Sequence, residues 1–180
     1  MKYIKKLEAL VEGWLKKAPH LPKNVQKWLA ENVWWIALIG AIAYGISILV
    51  GLSTLAFLGS VSNTLYYVPG FATWTAITTV LNLVFAVLIG LLLAMSVNPL
   101  KAMTKKGWTL LFTVLLVNIV NVVISLVISF AKSLTLSGLL GIGGLIFGLI
   151  FSAIFVAIAA YFLFEIRSKF AHTTKAAKKS

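Results

Sequence analysis

Residues 33–58, VWWIALIGAIAYGISILVGLSTLAFL, run for more than seven helical turns without an Asp, Glu, Lys, Arg or His. Three further stretches, Phe71–Val97, Trp108–Ala131 and Leu139–Phe164, share that property. A helix needs roughly 20 apolar residues to cross a hydrocarbon core of about 30 Å, and each stretch exceeds that length. Inside lipid every backbone amide must be satisfied within its own segment, and an α-helix does so unaided. The expected fold is therefore all-α: a polytopic membrane protein with a four-transmembrane-helix bundle spanning residues 33–164. The excess length is absorbed by tilt or by a turn in the headgroups.

Composition agrees with a lipid solvent. Hydrophobic residues make up 61% of the 180 residues and charged ones 11%, against about 25% in an average soluble domain. Too little chain lies outside the four stretches for a separate soluble domain. With no cysteine, disulfides and thiolate metal sites are excluded. Lysine is used almost to the exclusion of arginine, Arg167 being the sole exception, which reads as codon bias and not as chemistry.

The net charge of +12 does not indicate nucleic acid, because of where it sits. Residues 1–32 hold Lys2, Lys5, Lys6, Lys16, Lys17, Lys23 and Lys27. Lys101, Lys105 and Lys106 lie between the second and third stretches, and Arg167, Lys169, Lys175, Lys178 and Lys179 follow the fourth. The alternate connections carry only Lys132. By the positive-inside rule this places both termini and the 101–106 loop in the cytoplasm, the setting being a prokaryotic cytoplasmic membrane.

Residues 1–32 read as a cytoplasmic amphipathic segment of two short helices broken at 19–22, and 165–180 as a basic tail. In Met1–Ala18, Tyr3, Ile4, Leu7, Leu10, Val11, Trp14 and Leu15 recur at three- and four-residue spacing, with Lys and Glu opposite. Such a helix floats at headgroup level. Lys2, Lys5, Lys6, Trp14, Lys16, Lys17, Trp34 and Trp35 are the candidate contacts to anionic lipid headgroups; docking on the bundle's cytoplasmic ends or on a partner is the alternative. Pro19-His20-Leu21-Pro22 ends the helix. A second short helix is expected over Lys23–Asn32, leading to the Trp34-Trp35 anchor. This segment is too long and structured for a cleaved secretory signal. Asn98-Pro99 is expected to end the second span, and the glycines of 138–144 mark the place where a helix departs most readily from regularity.

Two kinds of feature stand out at depth. Asn118, Asn121, Ser125 and Ser129 share one face of the third span, and Asn82 lies mid-way along the second. These polar faces are expected to turn into the bundle, with Asn82 bonding Asn118 or Asn121, at about 0.6 kcal/mol per such bond. A lining for a small channel or transporter is the rival reading. Small residues form stripes, Gly141, Gly144, Gly148 and Ser152 on the fourth span and Ala37, Ala41 and Gly45 on the first. Both stripes suit close helix packing within the chain or in a homo-oligomer.

Catalytic patterns are absent from the sequence. There is no Asp; Glu8, Glu12, Glu31 and Glu165 lie at or beyond the interface, and His20 and His172 flank the spans. That excludes recognisable metal-ligand sets, carboxylate pairs and a Ser-His-Asp triad. The expectation is a non-enzymatic protein without cofactors. It would serve as a structural or accessory subunit engaging a partner or the inner leaflet through its N-terminal helix. Membrane remodelling or lipid sensing by that helix is a further reading.

Overall fold

The computed structural model describes residues 2–15, 18–61, 71–133 and 138–171. Six helices follow one another: α1 (Lys2–Leu15), α2 (Lys23–Val61), α3 (Phe71–Lys101), α4 (Lys105–Lys132), α5 (Gly138–Glu165) and α6 (Arg167–Ala171). Among the described residues there is no strand, and α2 to α5 each contain a span long and apolar enough to cross a membrane. The protein is an all-α membrane protein, and its four long helices pack in chain order, α2 on α3, α3 on α4 and α4 on α5.

Helix boundaries depart from the sequence expectation in three places. The second short helix and the first span are one continuous helix of 39 residues. Nothing between Lys23 and Ile39 breaks it, since the first glycine is Gly40 and no proline intervenes. The helix α3 runs through Pro99 to Lys101. A proline this close to the helix end removes only its own donation to Met95 O, and the last carbonyls are taken up locally: Pro99 O accepts from Thr104 N and Thr104 Oγ1, and Asn98 O from Ala102 N. Then α4 begins at Lys105, ahead of Trp108, capped by the Thr104 hydroxyl, which accepts from Gly107 N. The α5 helix is regular from Gly138 onward.

The α3–α4 turn is tight. Met103 adopts φ +50°, a left-handed conformation that a non-glycine residue takes at some cost. Gly107 sits so close that a Cβ there would lie 2.7 Å from Leu100 N and 2.8 Å from Pro99 C. Backbone cannot move aside as a side-chain tip can, so only glycine fits.

The packed core lies at one end. Ala30, Val33 and Ala37 of α2 meet Phe85, Ile89, Leu93 and Leu100 of α3, Trp108, Phe112 and Leu115 of α4, and Ala160 and Leu163 of α5, with Ile166 and Phe170 beyond. These residues occupy the half nearest α1, the α3–α4 turn and α6, hereafter the basic end. In the opposite half, the described part of α5 from Ile146 to Phe151 is exposed residue after residue. Large apolar side chains such as Ile39, Leu49, Val127, Phe147 and Phe155 face outward, as lipid-facing positions do.

Close helix approach occurs at glycines other than those of the expected stripes. Gly51 lies against Leu83, Gly40 against Leu93 and Gly90 against Tyr44, all in the α2–α3 contact. Ala37 is buried and Ala41 packs on the core, but Gly45 and Gly148 have nothing within 4 Å of a built Cβ. The side-chain surroundings of Gly141 and Gly144 lie outside the described residues. Gly107→Ala is thus expected to destabilise the fold by about 1–3 kcal/mol, whereas Gly148→Ala should be neutral. Thermal unfolding midpoints in mild detergent check both.

Candidate functional site

The densest polar constellation is at the basic end, where α1 meets the close of α5. Glu8 and Glu12 are four residues apart, hence on one face of α1. Arg167 answers both: Nη2 lies 2.5 Å from Glu8 Oε1 and Nη1 2.5 Å from Glu12 Oε2. A guanidinium presents its donors in a planar fork, so one arginine grips two carboxylates in a fixed geometry that a lysine ammonium does not impose. Its other face rests on aromatic rings, 5.4 Å from the Trp108 centroid and 6.0 Å from that of Phe164. Cation–π attraction therefore supplements the two ion pairs.

Those rings are themselves fixed. Trp108 is buried, donates Nε1–H to Leu163 O at 2.8 Å, stacks on Phe112 and meets Phe164 edge-on. The carbonyl it satisfies belongs to the last turn of α5, which leaves such groups without intrahelical partners. Glu12, Lys105, Trp108, Arg167 and Ser168 border a cleft of about 360 Å³ here.

A second knot lies alongside. Glu165 accepts from Leu21 N at 2.9 Å and Gln26 Nε2 at 2.8 Å through Oε2, while Oε1 is 2.7 Å from His20 Nδ1. Tyr161 donates its hydroxyl to Pro19 O at 2.5 Å. The 19–22 break between α1 and α2 is thereby bound to the end of α5. On the neighbouring flank, Lys101 Nζ stands 4.0 Å from the centroid of Trp34, which stacks on Trp35.

This arrangement places the expected headgroup residues unevenly. Lys6 and Trp35 are exposed, whereas Trp34 is half-buried beneath Lys101. The side chains of Lys2, Lys5, Trp14, Lys16 and Lys17 lie outside the described residues. Sequence reading missed the roles of Arg167, Glu8, Glu12 and Glu165. The available signal was an arginine, alone in a lysine-rich chain, two residues after an acid that closes a span.

The intramembrane polar residues are distributed over three separate clefts. Asn118 borders a largely apolar cavity of about 370 Å³ with Ala37, Leu93, Leu115 and Leu163 at the basic end. Asn121, Ser125 and Ser129 line a cleft with Gly148 and Ser152 of α5. Asn82 is exposed in another, between α2 and α3, with Ser47, Thr54 and Thr79. The expected bond from Asn82 to Asn118 or Asn121 is not formed. Asn82 turns toward α2, so the two amide faces never meet.

No group of three or more potential metal-ligating side chains occurs among the described residues. No known protein family, curated protein or solved structure matches the chain.

Two substitutions test the knots. Arg167→Gln should raise the amide hydrogen-exchange rate of residues 2–15 at least about tenfold, since it leaves two carboxylates without their cation. The spans should keep their protection. Glu165→Gln keeps the shape but turns one acceptor oxygen into a donor. It should cost about 1–3 kcal/mol, read as a lower unfolding midpoint.

Proposed function

We propose that this chain is a small non-enzymatic membrane protein, a structural or accessory subunit that engages the inner leaflet of a prokaryotic cytoplasmic membrane through α1. The lysine distribution supports cytoplasmic placement of the basic end. One observation carries the rest: Arg167 draws Glu8 and Glu12 toward the bundle, which turns the acidic edge of α1 inward. Lys6 and Leu7 on the remaining surface are exposed. Val11 packs on the bundle core, while Lys6 and Leu7 stay outward, the combination that anionic headgroups over acyl chains attract. Held by its carboxylate edge, α1 is also oriented in advance, so less order is lost on contact.

A conducting path has weaker support. Its expected lining falls into separate clefts, and no charged side chain borders the Asn82, Asn118 or Asn121 clefts.

The test places an environment-sensitive fluorophore on a Leu7→Cys variant in nanodiscs. Emission should shift to the blue in phosphatidylglycerol discs relative to phosphatidylcholine discs. The shift should shrink as salt shortens the screening length to about 3 Å at 1 M. Identical emission in the two lipids would overturn the leaflet reading. A protein recovered at fixed stoichiometry on gentle extraction would put a partner in its place.

A further inference from the structure

The loosely packed half of the bundle, away from α1, gathers several hydroxyls that do not bond to their own helix. A serine or threonine in a helix normally satisfies itself on the carbonyl four residues back. Ser47 does so on Ala43 O, Ser53 on Leu49 O, Thr54 on Val50 O and Thr113 on Thr109 O. In the α4–α5 cleft the pattern fails. Ser125 reaches instead to Asn121 Oδ1, at a long 3.4 Å. The hydroxyls of Ser129 on α4 and Ser152 on α5 make no hydrogen bond among the described residues, and neither does the Asn121 amide nitrogen. All four side chains border one cleft of about 240 Å³.

Polar groups left unsatisfied in hydrocarbon each cost several kcal/mol, so donors and acceptors gathered on one cleft call for a polar occupant. The volume admits several waters at roughly 30 Å³ each, or one small organic molecule, but not a phospholipid headgroup with its chains. No ionisable side chain borders the cleft, which disfavours an ion. Hydroxyl and amide side chains together recognise hydroxyl groups, as donors and acceptors alike. Along α4 the cleft runs from Ser129 to Asn121, roughly 12 Å of helix. One turn further, at Asn118, the surroundings become apolar.

We propose that the α4–α5 cleft is an aqueous pocket that binds small uncharged hydroxylated molecules. Asn121, Ser125, Ser129 and Ser152 supply its donors and acceptors. The site is independent of the role assigned to α1.

The absence of native cysteine allows single thiols to report access. Ser125→Cys and Ser129→Cys are near-isosteric, and Val127→Cys, on the outward face of the same helix, is the lipid-facing control. In nanodiscs, where both bilayer faces meet solvent, a membrane-impermeant thiosulfonate should modify Ser125→Cys and Ser129→Cys at least about tenfold faster than Val127→Cys, because apolar surroundings suppress the reactive thiolate. Glycerol, checked against a free thiol, should slow Ser125→Cys several-fold. Serine positions as slow as Val127→Cys would overturn the aqueous pocket. A rate that glycerol leaves unchanged would overturn the solute site. Monodisperse elution and native tryptophan emission qualify each variant, and Ser129→Cys serves should Ser125→Cys not fold.

Discussion

Arg167 is the point at which separate parts of the chain become one structure. Its guanidinium joins Glu8 and Glu12 of α1 to the aromatic pair of Trp108 and Phe164, and so to α4 and α5. Beside it Glu165 binds the linker that starts α2. The spans could form without either residue, since each helix satisfies its own backbone. The buried core places the spans by van der Waals packing, since apolar faces in lipid have no hydrophobic drive to choose one another. The polar and aromatic contacts then fix α1 and the linker on α4 and α5.

The four spans were legible because their signal is collective. Runs of more than 20 apolar residues tolerate only one solvent, whatever each side chain does individually. Helix ends were less so. At Lys23–Asn32 a change of composition looked like a change of structure, yet no residue there stops a helix, and α2 runs through. At Asn98-Pro99 the stop signal was present, but one missing N–H near the end did not stop α3, whose last carbonyls are taken up by the turn that follows.

The polar faces show a different limit. Periodicity placed Asn118, Asn121, Ser125 and Ser129 together on α4, which depends on helix geometry alone. What each one meets depends on which neighbour lies at that depth, and this changes along α4. Asn118 lies where α2, α3 and α5 converge, while Asn121 and the serines lie where α5 alone approaches. Among the small residues Ala37 and Ala41 pack on the core, while the glycines divide by depth. Gly148 invites close packing but sits where the helices diverge, whereas Gly40, Gly51 and Gly90, isolated in sequence, take the actual approaches.

The length of α2 has a mechanical consequence. At 39 residues it measures roughly 58 Å, nearly twice the hydrocarbon thickness, with no proline along it. One end is pinned by Gln26 to Glu165, and its body lies along α3. A rod of that stiffness acts as a lever arm: a small tilt imposed at the pinned surface end is delivered, amplified, some 50 Å away at Val61.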